Sequence, residues 1–289
     1  MAITYNNLYL DIRQVFRDSG IDAATLEARE LVCFGSGKSR EELTRDARLY
    51  VPQLIEARIR ELVARHLAGE PVAYLIGEWE FYGLPLDISE SVLIPRTDTE
   101  VLAAQAIDYV KTVENARVLD LCAGSGCVGL AVASQVKTCH VVLGEIDEGA
   151  LRICRQNVRR NGLTTRVMPY QVDALGKPPV NLGEFDCIVC NPPYIPDGDI
   201  DSLDASVRDY EPLLALRGGE DGLDFYRAVC DKWRQCLRTG GRLYFEVGVG
   251  QADPVLRLMR AVGFGDIQVV SDTGGIPRVV FGTLCESVY

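Results

Sequence analysis

The chain has 289 residues, 47% of them hydrophobic and 25% charged, the balance of a globular protein made of one large domain or two modest ones. Thirty Lys and Arg against 41 Asp and Glu give a formal net charge of −11, which argues against broad, phosphate-driven binding to nucleic acid. No stretch approaches the ~18 apolar residues of a membrane span. The N-terminal MAITYNNLYLDIRQVF has neither a basic n-region nor a long apolar h-region. Ten cysteines at irregular spacing read as reduced thiols used as small hydrophobes in the cytoplasm.

The first part of the chain, 1–73, reads as helical. Ile21 to Phe34 carries apolar residues near helical spacing. In Pro52 to Leu67, Pro52 suits a first turn, and Ile55, Ile59, Leu62 and His66 fall on one stripe. Gly69-Glu-Pro71 stops that helix. The segment 74–95 is rich in aromatic and β-branched residues, with Gly83-Leu-Pro85 as a turn signal, and reads as a β-hairpin linking two domains. Thr97 followed by Glu100 predicts a capping box at the head of the next helix.

From 96 to 289 the pattern alternates. Strands are expected at Arg117–Leu121, His140–Glu145, Arg166–Gln171, Asp186–Cys190, Arg242–Val247, Asp266–Val270 and Arg278–Gly282. Helices are expected at Asp98–Val113, Cys127–Gln135, Gly149–Arg160, Leu223–Leu237 and Gln251–Ala261. Such alternation implies an α/β fold with a parallel sheet covered on both faces. The link from Ser271 to Pro277 is too short for a crossover helix, so the last two strands should pair antiparallel.

Two motifs carry chemistry. In Val118-Leu-Asp-Leu-Cys-Ala-Gly-Ser-Gly126 a strand runs into a glycine-rich turn and then a helix. Gly124 and Gly126 let the backbone pass close to a ligand, and the helix N-terminus offers N–H groups. Glu145, at the end of the next strand, can accept both hydroxyls of a ribose. Gly129 formally completes a dinucleotide pattern. Asp120, however, sits two residues before the turn, where it would repel a pyrophosphate and hold an ammonium. That favours S-adenosylmethionine.

The second motif, Asn191-Pro-Pro-Tyr194, follows the apolar strand Phe185 to Cys190. It therefore lies at the carboxyl end of a strand, where open α/β sheets place their sites. A planar amide or aryl amine nitrogen is a poor nucleophile because its lone pair is delocalised. Two acceptors can bind its two N–H groups and draw it into a reactive geometry. The Asn191 side chain supplies one carbonyl and the Pro192 backbone another, held by neighbouring proline constraints. Tyr194 can cover the planar group.

On these residues the chain resembles the protein-(glutamine-N5) methyltransferases that modify peptide chain release factors. The resemblance extends to Glu70-Pro-Val-Ala-Tyr-Leu-Ile-Gly77, Phe81-Tyr-Gly83, Val92-Leu-Ile-Pro-Arg96, Tyr210-Glu-Pro212, Gly219-Glu-Asp-Gly-Leu223, Phe245-Glu-Val-Gly248 and Gln251. It implies a Rossmann-like seven-stranded, mainly parallel sheet with an N-terminal α-helical domain (1–73) for substrate recognition, a linker (74–95) and a catalytic domain (96–289). It also implies methyl transfer from S-adenosylmethionine to the glutamine of the Gly-Gly-Gln motif in class I release factors, supporting translation termination. No metal is implied. Asp120, Cys122, Ala123, Gly124, Ser125, Gly126, Glu145, Asp173, Ala174 and Asn191 would bind the cofactor. Asn191, Pro192, Pro193 and Tyr194 would grip the glutamine, with Asn191, Pro192 and Tyr194 catalytic. Five positions depart from the family pattern: Cys122 and Ala123 replace Gly and Thr in the turn, Glu145 stands where Asp is more common, and Thr97-Asp98 follow Ile-Pro-Arg where the family often has Pro-Glu.

The same Asn-Pro-Pro-Tyr motif serves adenine-N6 methyltransferases of DNA and RNA. Those need basic grooves, and the acidic balance here favours a protein substrate with no stable nucleic-acid or membrane binding. Cys187-x-x-Cys190 does not read as a zinc site, because residues three apart on a strand point to opposite faces.

Overall fold

The computed structural model describes residues 2–286. The chain divides into two compact units, Met1–Gly77 and Glu78–Tyr289.

The first unit is helical: α1 (Tyr5–Asp18), α2 (Ala24–Ser36), α3 (Arg40–Arg45), α4 (Gln53–Leu67) and α5 (Val72–Ile76). Thr4 caps α1 by accepting from the Asn7 N–H at 3.3 Å, and Tyr5, Leu8, Ile12 and Phe16 form its buried stripe. The close fit of α2 on α4 requires a glycine, since a Cβ at Gly35 would stand 2.5 Å from the Ile59 Cγ1. His66 is tied down in this core. Its Nδ1 lies 2.9 Å from the Glu70 carbonyl, its Nε2 lies 3.2 Å from Glu27, and its ring packs edge-on against Phe16.

The second unit opens with a hairpin, β1 (Glu78–Phe81) and β2 (Leu84–Asp87), whose register pairs Phe81 with Leu84. The turn is therefore Tyr82-Gly83, with φ of +52° and +74°, and Pro85 lies inside β2 rather than in the turn. A two-residue loop with both central residues left-handed matches the twist of its strands.

The remaining elements are α6 (Thr99–Val110), β3 (Arg117–Leu121), α7 (Cys127–Gln135), β4 (His140–Glu145), α8 (Glu148–Arg160), β5 (Val167–Gln171), β6 (Phe185–Cys190), α9 (Ala205–Arg208), α10 (Asp224–Lys232), β7 (Leu237–Glu246), α11 (Ala252–Ala261), β8 (Phe264–Ser271) and β9 (Pro277–Leu284). Seven strands form one sheet in the order β5-β4-β3-β6-β7-β9-β8. The first four pairings, from β5 to β7, run parallel, and β9 pairs antiparallel with both β7 and β8. This is the expected mainly parallel sheet, including the antiparallel final pair. The central strands are apolar on both faces: Leu119, Leu121, Ile188, Leu243 and Phe245 on one face and Val118, Cys187 and Val189 on the other are fully buried, as a sheet covered by helices requires.

Two local expectations give way to tertiary contacts. The Thr97–Glu100 capping box does not form. Asp98 is the N-cap of α6, with no side-chain cap bond. The Glu100 carboxylate instead accepts from the Tyr82 N–H at 2.9 Å, serving the hairpin turn. Asp98 pairs with Arg278 of β9 at 3.0 Å. The helix expected to reach Leu237 ends at Lys232, and Trp233–Cys236 tighten into a 3₁₀ turn. Trp233 is fully buried, and its indole N–H donates to the Ala174 carbonyl at 2.9 Å.

Candidate active site

From β3 the chain lays down β4 and β5 on one side, then crosses back to place β6 on the other. The carboxyl ends of β3, β4 and β6 meet at this switch point, the place where open α/β sheets leave a crevice. A cavity of about 450 Å³ opens there, within the size range of small-molecule sites.

Its floor is the turn after β3. Cys122, Gly124 and Gly126 are left-handed, with φ of +62°, +55° and +82°. A Cβ on Gly124 would touch nothing and project into open space, whereas one on Gly126 would stand 2.9 Å from Leu143 Cδ1. Gly129 has a different duty. A Cβ there would come within 2.3 Å of Leu143 Cδ2 and 3.0 Å of Asp120 Oδ2, so this glycine lets α7 close onto the sheet.

Asp120 is 2% exposed and its Oδ2 accepts from the Gly129 N–H at 2.7 Å. Burial pushes its carboxyl up to about 7. The Gly129 bond opposes that rise, and the nearby Glu145 charge adds to it. Glu145, at the end of β4, gathers three backbone donors. Its Oε2 accepts from Gly124 N at 2.9 Å, and its Oε1 from Ile146 N at 2.7 Å and Asp147 N at 3.0 Å. The extra methylene of Glu lets this side chain span from its own strand end to the glycine turn.

Past β5, Asp173 accepts from the Leu175 N–H at 2.8 Å and shapes the chain into a turn beside Ala174. Together with Val172 and Phe225, these residues give one end of the cavity an apolar wall. Past β6, Asn191 and Pro193 line the cavity, and the Asn191 Nδ2 lies 3.4 Å from the Thr99 hydroxyl.

The structure thus gathers Asp120, Cys122, Ala123, Gly124, Ser125, Glu145, Asp173, Ala174, Asn191 and Pro193 around one cavity. Gly126, Pro192 and Tyr194 do not line it. Pro192 is buried. The Tyr194 carbonyl accepts from the Gln251 amide at 2.9 Å, its ring packs beside Gly248, and burial pushes its phenol up to about 12.

Other wall residues carry no motif that composition or spacing singles out as a site. Phe225 comes from the start of α10. Arg96 lies on the wall and pairs with the buried Glu211, fastening the segment that carries Pro212, Leu214 and Ala215 onto the same cavity. Two buried polar side chains support the site from behind. Asn157 of α8 is fully buried and binds both Asp87 and the Ser125 carbonyl. Glu246, at the end of β7, is 4% exposed.

The cavity fits the expected methyl donor on its own chemistry. It offers an acceptor-only carboxylate at the end of β4, a second carboxylate beside the turn, an apolar slot, and open space in front of Gly124. Among the described residues, no group of three or more His, Cys, Asp or Glu is arranged to hold a metal ion, and no helix is long and apolar enough to cross a membrane.

The sequence matches the Methyltransferase small domain over residues 98–206 and the PrmC N-terminal domain over residues 7–77. It is 39% identical over 274 residues to the release factor glutamine methyltransferase of Geobacter sulfurreducens, covering 94% of each chain. It is 32% identical to the release factor glutamine methyltransferase of Caulobacter vibrioides over 98% of this chain and 97% of that one. Its fold is similar to that of a methyltransferase from Pyrococcus furiosus, with a TM-score of 0.51 and 17% identity over 77% of this chain and 97% of the other. At this identity and coverage, the chain belongs to the release factor glutamine methyltransferase family.

Proposed function

We propose that this enzyme transfers a methyl group from S-adenosylmethionine to the side-chain amide N5 of the glutamine in the Gly-Gly-Gln motif of class I release factors, in the cytoplasm. The observation that carries this reading is the position of Asn191 on the wall of the β3–β4–β6 cavity, beside the glycine turn and Glu145. The full-length similarity to release factor glutamine methyltransferases supports the choice of acceptor.

The cavity residues divide the donor between them. Glu145 would take the ribose hydroxyls, Asp173 and Ala174 would border the adenine, and Asp120 with the turn from Cys122 to Gly126 would hold the amino-acid end. When bound, the donor supplies an activated methyl group on a sulfonium, which needs no metal or covalent enzyme intermediate. Asn191 and the Pro192 carbonyl accept the two N–H groups of the glutamine amide and turn its nitrogen toward the cavity, while Pro193 and Tyr194 complete the grip. Transfer would exchange the methyl–sulfur bond for a methyl–nitrogen bond, with one amide proton released to solvent. The chain's contribution is orientation, which can supply most of the rate. Residues 1–73 are assigned to release-factor recognition, 74–95 to the link, and 96–289 to catalysis.

The test is incubation with methyl-labelled donor and, in separate tubes, a release factor and duplex DNA. Label on the release factor alone supports the reading. Label on adenine, with none on protein, overturns it in favour of a nucleic-acid methyltransferase.

A further inference from the structure

Glu246 is a buried carboxylate with no role in the residue assignments above. The β6–β7 register pairs Cys190 with Phe245, so the next residues, Asn191 and Glu246, stand side by side at the carboxyl ends of neighbouring strands. The Glu246 backbone is pinned by the Tyr226 hydroxyl, which donates to its carbonyl at 2.9 Å. Its side chain is 4% exposed, and the Oε2 oxygen has no hydrogen-bond partner. The side chains of Thr99 and Asn191 both lie close enough to this carboxyl group to favour its charged form, and Asn191 Nδ2 points to the Thr99 hydroxyl at 3.4 Å.

The direction of these contacts matters. An ionised carboxylate can only accept, while a primary amide presents a donor end and an acceptor end of nearly equal shape. Asn191 facing Glu246 must therefore offer its NH₂. The Thr99 hydroxyl can donate to Glu246 and accept from Asn191, which closes a consistent three-membered network. The Asn191 carbonyl oxygen is then left to face the other way. We infer that Glu246 is a positioning residue that fixes the orientation of the Asn191 amide, so that its oxygen and not its nitrogen meets the N–H of the acceptor amide. This rests on the proposed function, in which Asn191 must accept. The assignment acts through Asn191 and requires no contact between Glu246 and substrate or donor, and Glu246 is not on the cavity wall.

The network is sensitive to protonation. A protonated Glu246 becomes a donor at one oxygen and no longer dictates the amide's direction. Burial pushes its carboxyl up to about 7, against the influence of Thr99, Asn191 and the charge of Arg278 on β9, and with the charge of Asp98 at the head of α6. Tyr194, Tyr226 of α10 and Cys127 of α7 also face it, each pushed up in part by its charge.

The test compares wild type with Glu246→Gln and Thr99→Val, using a release factor as acceptor. Steady-state kcat is measured from pH 5.5 to 8.5, and donor affinity is measured separately by calorimetry. Glu246→Gln should lower kcat by ~10-fold or more, the worth of one hydrogen bond to a charged group. Donor affinity should stay within ~2-fold, since the donor does not depend on that bond. The fall in kcat on the acid side, present in the wild type near neutrality, should vanish in this variant. Thr99→Val should lower kcat less and keep the acid limb. Glu246→Gln with wild-type kcat and an intact acid limb overturns the assignment, as does a loss of kcat matched by an equal loss of donor binding. The wild-type control separates the two claims. A wild type that leaves glutamine unmethylated overturns the proposed function, whereas a competent wild type with an indifferent Glu246→Gln overturns the role of Glu246.

Discussion

The Asn157 amide donates to the Ser125 carbonyl at 2.9 Å, so a buried side chain of α8 holds the loop that floors the cavity. The same amide donates to the Asp87 carbonyl at 3.1 Å, and its oxygen accepts from the Asp87 N–H at 2.6 Å. One asparagine thus fastens the hairpin and the glycine turn to a single helix. Asn157→Leu keeps the number and branching of side-chain heavy atoms but strands backbone groups that are shielded from water. The expected cost is ~3 kcal/mol of stability, at ~1–3 kcal/mol for each buried group left unsatisfied. Urea unfolding checks this, and an unchanged midpoint contradicts it.

Glu145 accepts three backbone N–H groups, an arrangement that only an acceptor on both oxygens can satisfy. In Glu145→Gln one end of the side chain becomes a donor and meets a backbone donor head-on. Donor affinity should fall by ~10-fold or more, the range expected when a buried hydrogen bond to a charged group is lost. Calorimetric titration with S-adenosylhomocysteine reads this directly. Affinity equal to wild type would remove Glu145 from the ribose site.

Asp120 predicts a pH effect with opposite signs for stability and binding. Its carboxyl sits near 7 in the folded chain, above the ~3.9 of an unfolded Asp. The folded state therefore binds the proton more tightly, and this group's contribution to stability declines as pH rises from about 4 to about 7. Asp120→Asn cannot ionise and escapes that decline, so its melting temperature relative to wild type should rise with pH. A bound ammonium favours the ionised form, so donor affinity of the wild type should tighten from pH 6 to 7.5. The variant should bind weakly and without that slope. Parallel melting and titration series check both, and a variant that binds with the wild-type slope contradicts the role of Asp120.

Cys122 holds a left-handed conformation, φ +62°, that favours glycine. Such a conformation costs an ordinary residue ~1–2 kcal/mol. Glycine's greater freedom in the unfolded chain offsets part of that gain. Cys122→Gly should accordingly raise stability by ~0.5–1 kcal/mol, measured by denaturant unfolding. A clear destabilisation would mean that the thiol's contacts in the turn outweigh the backbone strain.

The sheet was legible because each central strand is a short apolar run closed by a turn, as in Asp186 to Cys190. The helices between them follow from the alternation of these runs with longer mixed segments. The glycine turn, Glu145 and Asn191 were legible because their chemistry is tied to strand ends, and strand ends can be read locally. What escaped depends on distant partners. Glu100 looks like half of a capping box until the fold presents the Tyr82 N–H. Asn157 and Glu246 read as ordinary polar residues of a helix and a strand, because nothing local shows that they are buried against the site. Trp233 ends a helix early in order to reach Ala174. Tyr194 sits in the motif as expected, but its packing against Gly248 and Gln251 is set by the segment after β7.

The most direct measurement is tandem mass spectrometry of a class I release factor after incubation with the enzyme and S-adenosylmethionine. One methyl group should map to the side-chain nitrogen of the Gly-Gly-Gln glutamine, and Asn191→Ala should nearly abolish it while still binding donor. A methyl group mapped to any other residue, or undiminished methylation by Asn191→Ala, would contradict the proposed site.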